Sequence, residues 1–201
     1  FLIVKKIYGI ELKEVRMRSY DPTVRTFHVF RDGVHVAYYV ADFFARPEKR
    51  GGAWCNDLRR GFVTVQGEKV LPIIINVMNF ALPTKKAPSL LTHRDVETLF
   101  HEFGHALHAM LSSASYPNLN GFHTEWDFVE FPSQFFENWC WEKPAVDLFS
   151  RHYKTGKPLS AKLLSTLRRT KTFLSGYSVT RQNEFAFLDL LLHLSPPPKT
   201  V

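Results

Sequence analysis

Between Leu91 and Leu111 the apolar side chains recur at helical spacing. Val96, Leu99, Phe100, Phe103, Leu107, Met110 and Leu111 fall along one stripe. A strand would send alternate residues of this set to opposite faces, so the segment is predicted to be a helix with one side on a core. Thr92 followed by Asp95 resembles a capping box, with Asp in place of the usual Glu or Gln. The other side of the helix carries His101, Glu102 and His105 in the order H-E-x-x-H. Residues four apart share a helix face, so both imidazoles can reach one ion. Glu102, one position round, flanks that ion and can hold a water without being a ligand itself.

Ahead of this helix the chain reads as strand-rich. Val24–Phe30 and Val34–Phe44 surround Asp32–Gly33, a hairpin signal between apolar runs. Gly51–Gly52 interrupts the next segment, where backbone turns or is closely approached. Leu71–Phe80 is a continuous apolar run and reads as a buried strand. After it, a helical segment is expected from Trp126 to Trp141, broken or kinked at Pro132. Its aromatic residues Trp126, Phe128, Phe131, Phe135, Phe136, Trp139 and Trp141 read mostly as core. Leu159–Leu167 and Phe173–Leu194 read as helices, and Pro196–Pro198 ends the pattern. The expected class is α+β, mainly helical, as part of one domain over 1–201. A strand-rich lobe spans 1–80 and a helical core 90–195.

Composition narrows the function classes. Hydrophobic residues are 45% and charged residues 22%, ordinary for a soluble globular chain. No apolar run approaches the roughly 18 residues that a membrane helix needs, so no membrane association is expected. The net charge of +7 could suit nucleic acid, but Lys and Arg are scattered and no nucleic-acid module accompanies them. Nucleic-acid binding is therefore not expected. Cys55 and Cys140 form no C-x-x-C pair, which suggests reduced thiols and a cytoplasmic location. Oligomeric state is not legible.

A catalytic zinc site takes three protein ligands and leaves one position open. His108 occupies the place where a further H-x-x-G extension would need glycine, so a third histidine in that pattern is excluded. A carboxylate from the following helical segment is the alternative. Asp127 and Glu130 are the foremost candidates, with Glu125 and Glu137 weaker ones, and composition does not choose among them.

The stretches TLFHEFGHALHAML and WDFVEFPSQFFENWCWE together resemble the M3 family of zinc oligopeptidases, the thimet oligopeptidase and neurolysin group. Within that family the chain is similar to the bacterial oligopeptidase A branch. FFARPEKRGGAW, HYKTGKPL and RQNEFAFLDLLLH fit as well, so the resemblance covers nearly the whole chain. It implies a helical zincin core with one Zn2+ per chain held by His101, His105 and Glu130. It makes Glu102 the general base for water attacking a peptide bond, in a zinc metalloendopeptidase acting on short peptides. His108, Asp127, Gln134 and His123 are expected beside the ligands or in the pocket. Gly51, Gly52 and Ala53 are expected along the bound peptide, which an edge strand can receive through backbone hydrogen bonds. The family's N-terminal helical half and its C-terminal Gly- and Tyr-rich loop have no counterpart here, so weak turnover by this chain is expected. A non-catalytic homologue that binds metal or peptide is the competing reading, and the intact Glu102 argues against it.

Overall fold

The computed structural model describes residues 1–194 and Pro196. It has two compact units, residues 1–158 and 159–201. The first mixes helix and sheet, and the second contributes two helices.

A short helix α1 (Leu2–Tyr8) ends at Gly9, whose φ of 67° closes the last turn in the left-handed region. It lies inside the stretch expected to be strand-rich. The sheet then begins with β1 (Ile10–Val15), β2 (Arg25–Arg31) and β3 (Val34–Phe44), consecutive antiparallel neighbours. Asp32 and Gly33 join β2 to β3 with φ of 51° and 78°. Two positive φ values are what a tight two-residue hairpin demands, and Asp-Gly accepts them.

β4 (Trp54–Arg59) does not pair with β3. A small hairpin, β5 (Phe62–Val63) with β6 (Lys69–Val70), intervenes. Then β7 (Ile73–Phe80) enters between β3 and β4, parallel to β3 and antiparallel to β4. The strand order is β1-β2-β3-β7-β4, with β4 at an edge. β7 is covered on both faces, with Ile74 in one buried cluster and Ile75 and Val77 in another. Its apolar run is interrupted by Asn79 and by the buried Asn76, whose side chain accepts from the Tyr39 hydroxyl and donates to the Glu102 carbonyl.

The long helix α2 (His93–Leu111) packs on the sheet against β3, β7 and β4. The Thr92 hydroxyl accepts from Asp95 N at 3.1 Å, and the Asp95 carboxylate accepts from Thr92 N at 2.8 Å. Asp therefore completes the capping box. The apolar stripe sits as its spacing demands: Phe100, Phe103, Leu107 and Met110 are buried in one cluster with Phe27, Val29, Tyr39 and Ile74. Burial of each such large side chain contributes about 1.5–3 kcal/mol. Phe103 meets the Tyr39 ring edge-on at 5.2 Å.

The segment after α2 departs from expectation. Residues 126–130 are turns, and α3 (Phe131–Glu137) begins beside Pro132 instead of being kinked by it. Proline in a first turn loses no hydrogen bond, because the N–H there has no intrahelical partner. One turn of 3-10 helix, Asn138–Cys140, leads to α4 (Lys143–Phe149). The aromatic run is only partly core. Phe136 is buried, and Trp139 and Trp141 pack against the core cluster. Trp126, Phe128, Phe131 and Phe135 are exposed: the first two lie in the turns before α3, and the last two lie on α3 away from its buried face, which carries Ser133 and Phe136.

In the second unit, α5 (Ala161–Lys171) is capped by the Ser160 side chain, and α6 spans Ser175–Leu194. Of the expected stop at Pro196–Pro198, Pro197 and Pro198 lie outside the described residues. No helix among the described residues is long and apolar enough to cross a membrane.

Candidate metal centre

α2 and α3 cross at Gly104. A Cβ there would stand 2.7 Å from Ser133 Cα and 2.8 Å from the Pro132 carbonyl. Only glycine permits this approach, and it brings the N-terminus of α3 onto the histidine face of α2.

Glu130, just before α3, is the residue brought there. Its Oε2 lies 3.2 Å from His101 Nε2 and 3.2 Å from His105 Nε2. One ligand atom from each of the three residues falls within 4.8 Å of the other two. Asp127 does not share this cluster. The Ser133 hydroxyl lies 2.9 Å from both the main-chain carbonyl and Oε2 of Glu130, which fixes the carboxylate's direction. His101 and Glu130 remain partly open to solvent, at 26% and 49% side-chain exposure. The three donors thus face one point that solvent can reach.

The charge environment suits a cation. Burial pushes His105 below its ordinary value of 6.5, against the pull of Glu130, so its neutral ligating form is favoured. Two imidazoles and a carboxylate are the donor set of a catalytic zinc centre with an open position. Glu102 is buried, and burial raises its pKa above the ordinary carboxylate value; the charge of His101 opposes this and that of Glu130 adds to it. A carboxylate so raised is a better proton acceptor than one in water.

The partner of His101 is Glu137, whose Oε1 lies 2.7 Å from His101 Nδ1. Asp127 and Gln134, expected beside the ligands, are exposed and do not take that position. Glu137 stands seven residues after Glu130, two helical turns along the same face, and that spacing is the signal that could have found it. His105 Nδ1 and His108 Nδ1 are both buried without a hydrogen-bond partner among the described residues.

His108 lines an apolar groove of about 670 Å³ with Leu107, Leu111, Phe128 and Phe131. His123 is carried elsewhere: its Nε2 lies 3.5 Å from Asp57 on β4. Gly51, Gly52 and Ala53 form the approach to β4, the sheet's edge, and a Cβ at either glycine would meet nothing within 4 Å.

The model of peptidase family M3 matches residues 1–201. Oligopeptidase A of Escherichia coli (strain K12) is 40% identical over 197 residues, covering 96% of this chain and 29% of that protein. A probable cytosolic oligopeptidase A of Arabidopsis thaliana is 38% identical over 207 residues, 98% of this chain and 29% of that protein. Dipeptidyl carboxypeptidase of Escherichia coli (strain K12) is 36% identical over 195 residues, 96% of this chain and 28% of that protein. The chain therefore spans a little under three tenths of the length of these relatives.

Proposed function

The chain belongs to peptidase family M3, and on that premise we propose that it carries the catalytic centre of a zinc metalloendopeptidase of the oligopeptidase type. The substrates are short peptides, the core is of the zincin kind, and the compartment is the cytoplasm. The observation that carries the reading is the convergence of His101, His105 and Glu130 on one point, beside a buried Glu102.

His101, His105 and Glu130 would hold the ion. When bound, zinc supplies Lewis acidity toward water and toward a peptide carbonyl. Glu102 accepts the proton of the attacking water and passes it to the leaving amine. Glu137 accepts a hydrogen bond from His101 Nδ1–H, which keeps the proton on Nδ1 and leaves Nε2 as the ligating nitrogen. Ser133 holds Glu130 so that one carboxylate oxygen faces both imidazoles. The edge strand β4 offers unpaired backbone groups to an extended peptide.

The test is zinc content per chain together with hydrolysis of a quenched fluorescent oligopeptide, in the parent and in Glu102→Gln. One zinc per chain in both, with cleavage lost in the variant, supports the reading. Zinc without cleavage in either removes hydrolysis by this chain and leaves the ligand set standing. No zinc in either removes the centre.

A further inference from the structure

The loop between β3 and β4 is held more tightly than surface loops usually are. Asp42, at the end of β3, is buried, as is the ammonium of Lys49 at 5% side-chain exposure. Lys49 Nζ donates to Asp42 Oδ1 at 3.0 Å, to the Asp42 carbonyl at 3.1 Å and to the Phe44 carbonyl at 2.8 Å, and it also meets the Met78 carbonyl. It thereby ties the loop to the ends of both β3 and β7. Arg46 grips the same Asp42 carboxylate with two hydrogen bonds of 2.7 Å, and Tyr20 adds a third donor at 2.8 Å.

From the other side, Asn79 Nδ2 on β7 donates to the carbonyls of Arg50 at 2.8 Å and Gly52 at 2.7 Å. The carbonyls just ahead of β4 are thus fixed individually. A buried ion pair is a poor device for stability alone, because desolvation offsets much of the attraction. Its return here is a main chain held in one conformation.

Gly51 adds an independent observation. Its φ lies outside the left-handed region, and a Cβ on it would meet nothing. Neither backbone strain nor packing within this chain calls for glycine there. The space over it is open, on the approach to an edge strand packed against α2, the helix that carries Glu102.

We infer that Lys49 and Asn79 are positioning residues, which hold residues 50–53 as a rigid strip against which the backbone of an extended peptide docks. This rests on the peptide-cleaving reading above. Binding to a preformed strip avoids the cost of ordering the loop with each peptide.

The experiment uses Asn79→Ala and Lys49→Met in the chain as it stands. Affinity for a fluorescently labelled extended oligopeptide is titrated in the Glu102→Gln background, where no turnover interferes. KM and kcat are measured in the parent background, and amide hydrogen exchange is followed over residues 50–55. Affinity is expected to fall roughly five- to tenfold and KM to rise in step, with kcat little changed, zinc content unchanged and exchange faster in the strip. Faster exchange with unchanged affinity would show that the strip positions nothing, as would a fall in kcat at constant KM. A parent chain that binds zinc but no peptide sinks both this inference and the reading it rests on. Asn79→Ala leaves the buried Lys49–Asp42 pair intact, so the test survives if Lys49→Met fails to fold.

Discussion

His101 is bracketed by two carboxylates from one face of the next helical segment: Glu137 Oε1 is 2.7 Å from its Nδ1, and Glu130 Oε2 is 3.2 Å from its Nε2. The two acids divide the labour, one aligning the ring and the other sharing its open side. Glu137→Ala leaves all three donors of the centre in place but frees the ring. Zinc affinity is expected to fall about 10- to 100-fold, read by competition with a chelator of known affinity. Unchanged affinity would remove Glu137 from any part in the centre.

Gly104→Ala places a methyl group against the backbone of Ser133 and Pro132, neither of which can rotate away. The helices must separate, with an expected loss of about 1–3 kcal/mol in unfolding free energy, read as a lower denaturant midpoint. Glu130 moves with α3, so weaker zinc binding should accompany the loss. A variant as stable and as zinc-competent as the parent would contradict the close crossing.

Asp42 gives a pH test. Burial raises its pKa, but hydrogen bonds from Arg46, Lys49 and Tyr20 outweigh this and hold it below the ordinary value of 3.8. A depressed folded-state pKa contributes stability above the unfolded value and loses it as pH falls through the folded one. Asp42→Asn should therefore be less stable than the parent at neutral pH, by about 3–5 kcal/mol for a buried pair that loses one partner. The gap should narrow as pH drops below about 4. Thermal melts of both proteins across pH 2–7 (roughly the span of carboxylate titration) measure it. A gap independent of pH would rule out an ionised Asp42.

Zinc should stabilise the folded chain by mass action, by about 2.7 kcal/mol when free zinc is a hundred times the dissociation constant. His105→Ala should lose that increment while still melting cooperatively without metal. Equal zinc stabilisation in both would place the ion elsewhere.

Much of the centre was legible because its two histidines lie on a single helix, where spacing alone fixes the shared face. The carboxylate was not legible in that way. Asp127 and Glu130 were equivalent as residues, and resemblance to a family, not periodicity, separated them. Glu137 was considered only as a weaker ligand, because its role depends on how α3 crosses α2, which Gly104 decides from the other helix. The strands on either side of Asp32–Gly33 were readable from turn chemistry. α1 was not, since seven residues with two lysines carry too little period to distinguish helix from strand. Pro132 was read as an interruption, whereas its missing N–H costs nothing at a helix start. The aromatic run beside it shows that hydrophobic type does not ensure burial when the helix has only one covered face.

The insertion of β7 between β3 and β4 has a consequence for the newly made chain. β3 and β4 leave the ribosome before the strand that separates them, so both wait with open backbone edges. The segment that becomes α2 follows β7 directly, and its apolar stripe has no complete sheet to dock on until β7 is seated. The helix that carries both histidines is thus docked by a late, long-range closure, the kind of step that slows folding and prolongs the exposure of sticky edges. Acquisition of metal should mark the end of that sequence, and mutations that delay β7 should show themselves as aggregation during synthesis before they show as weak binding.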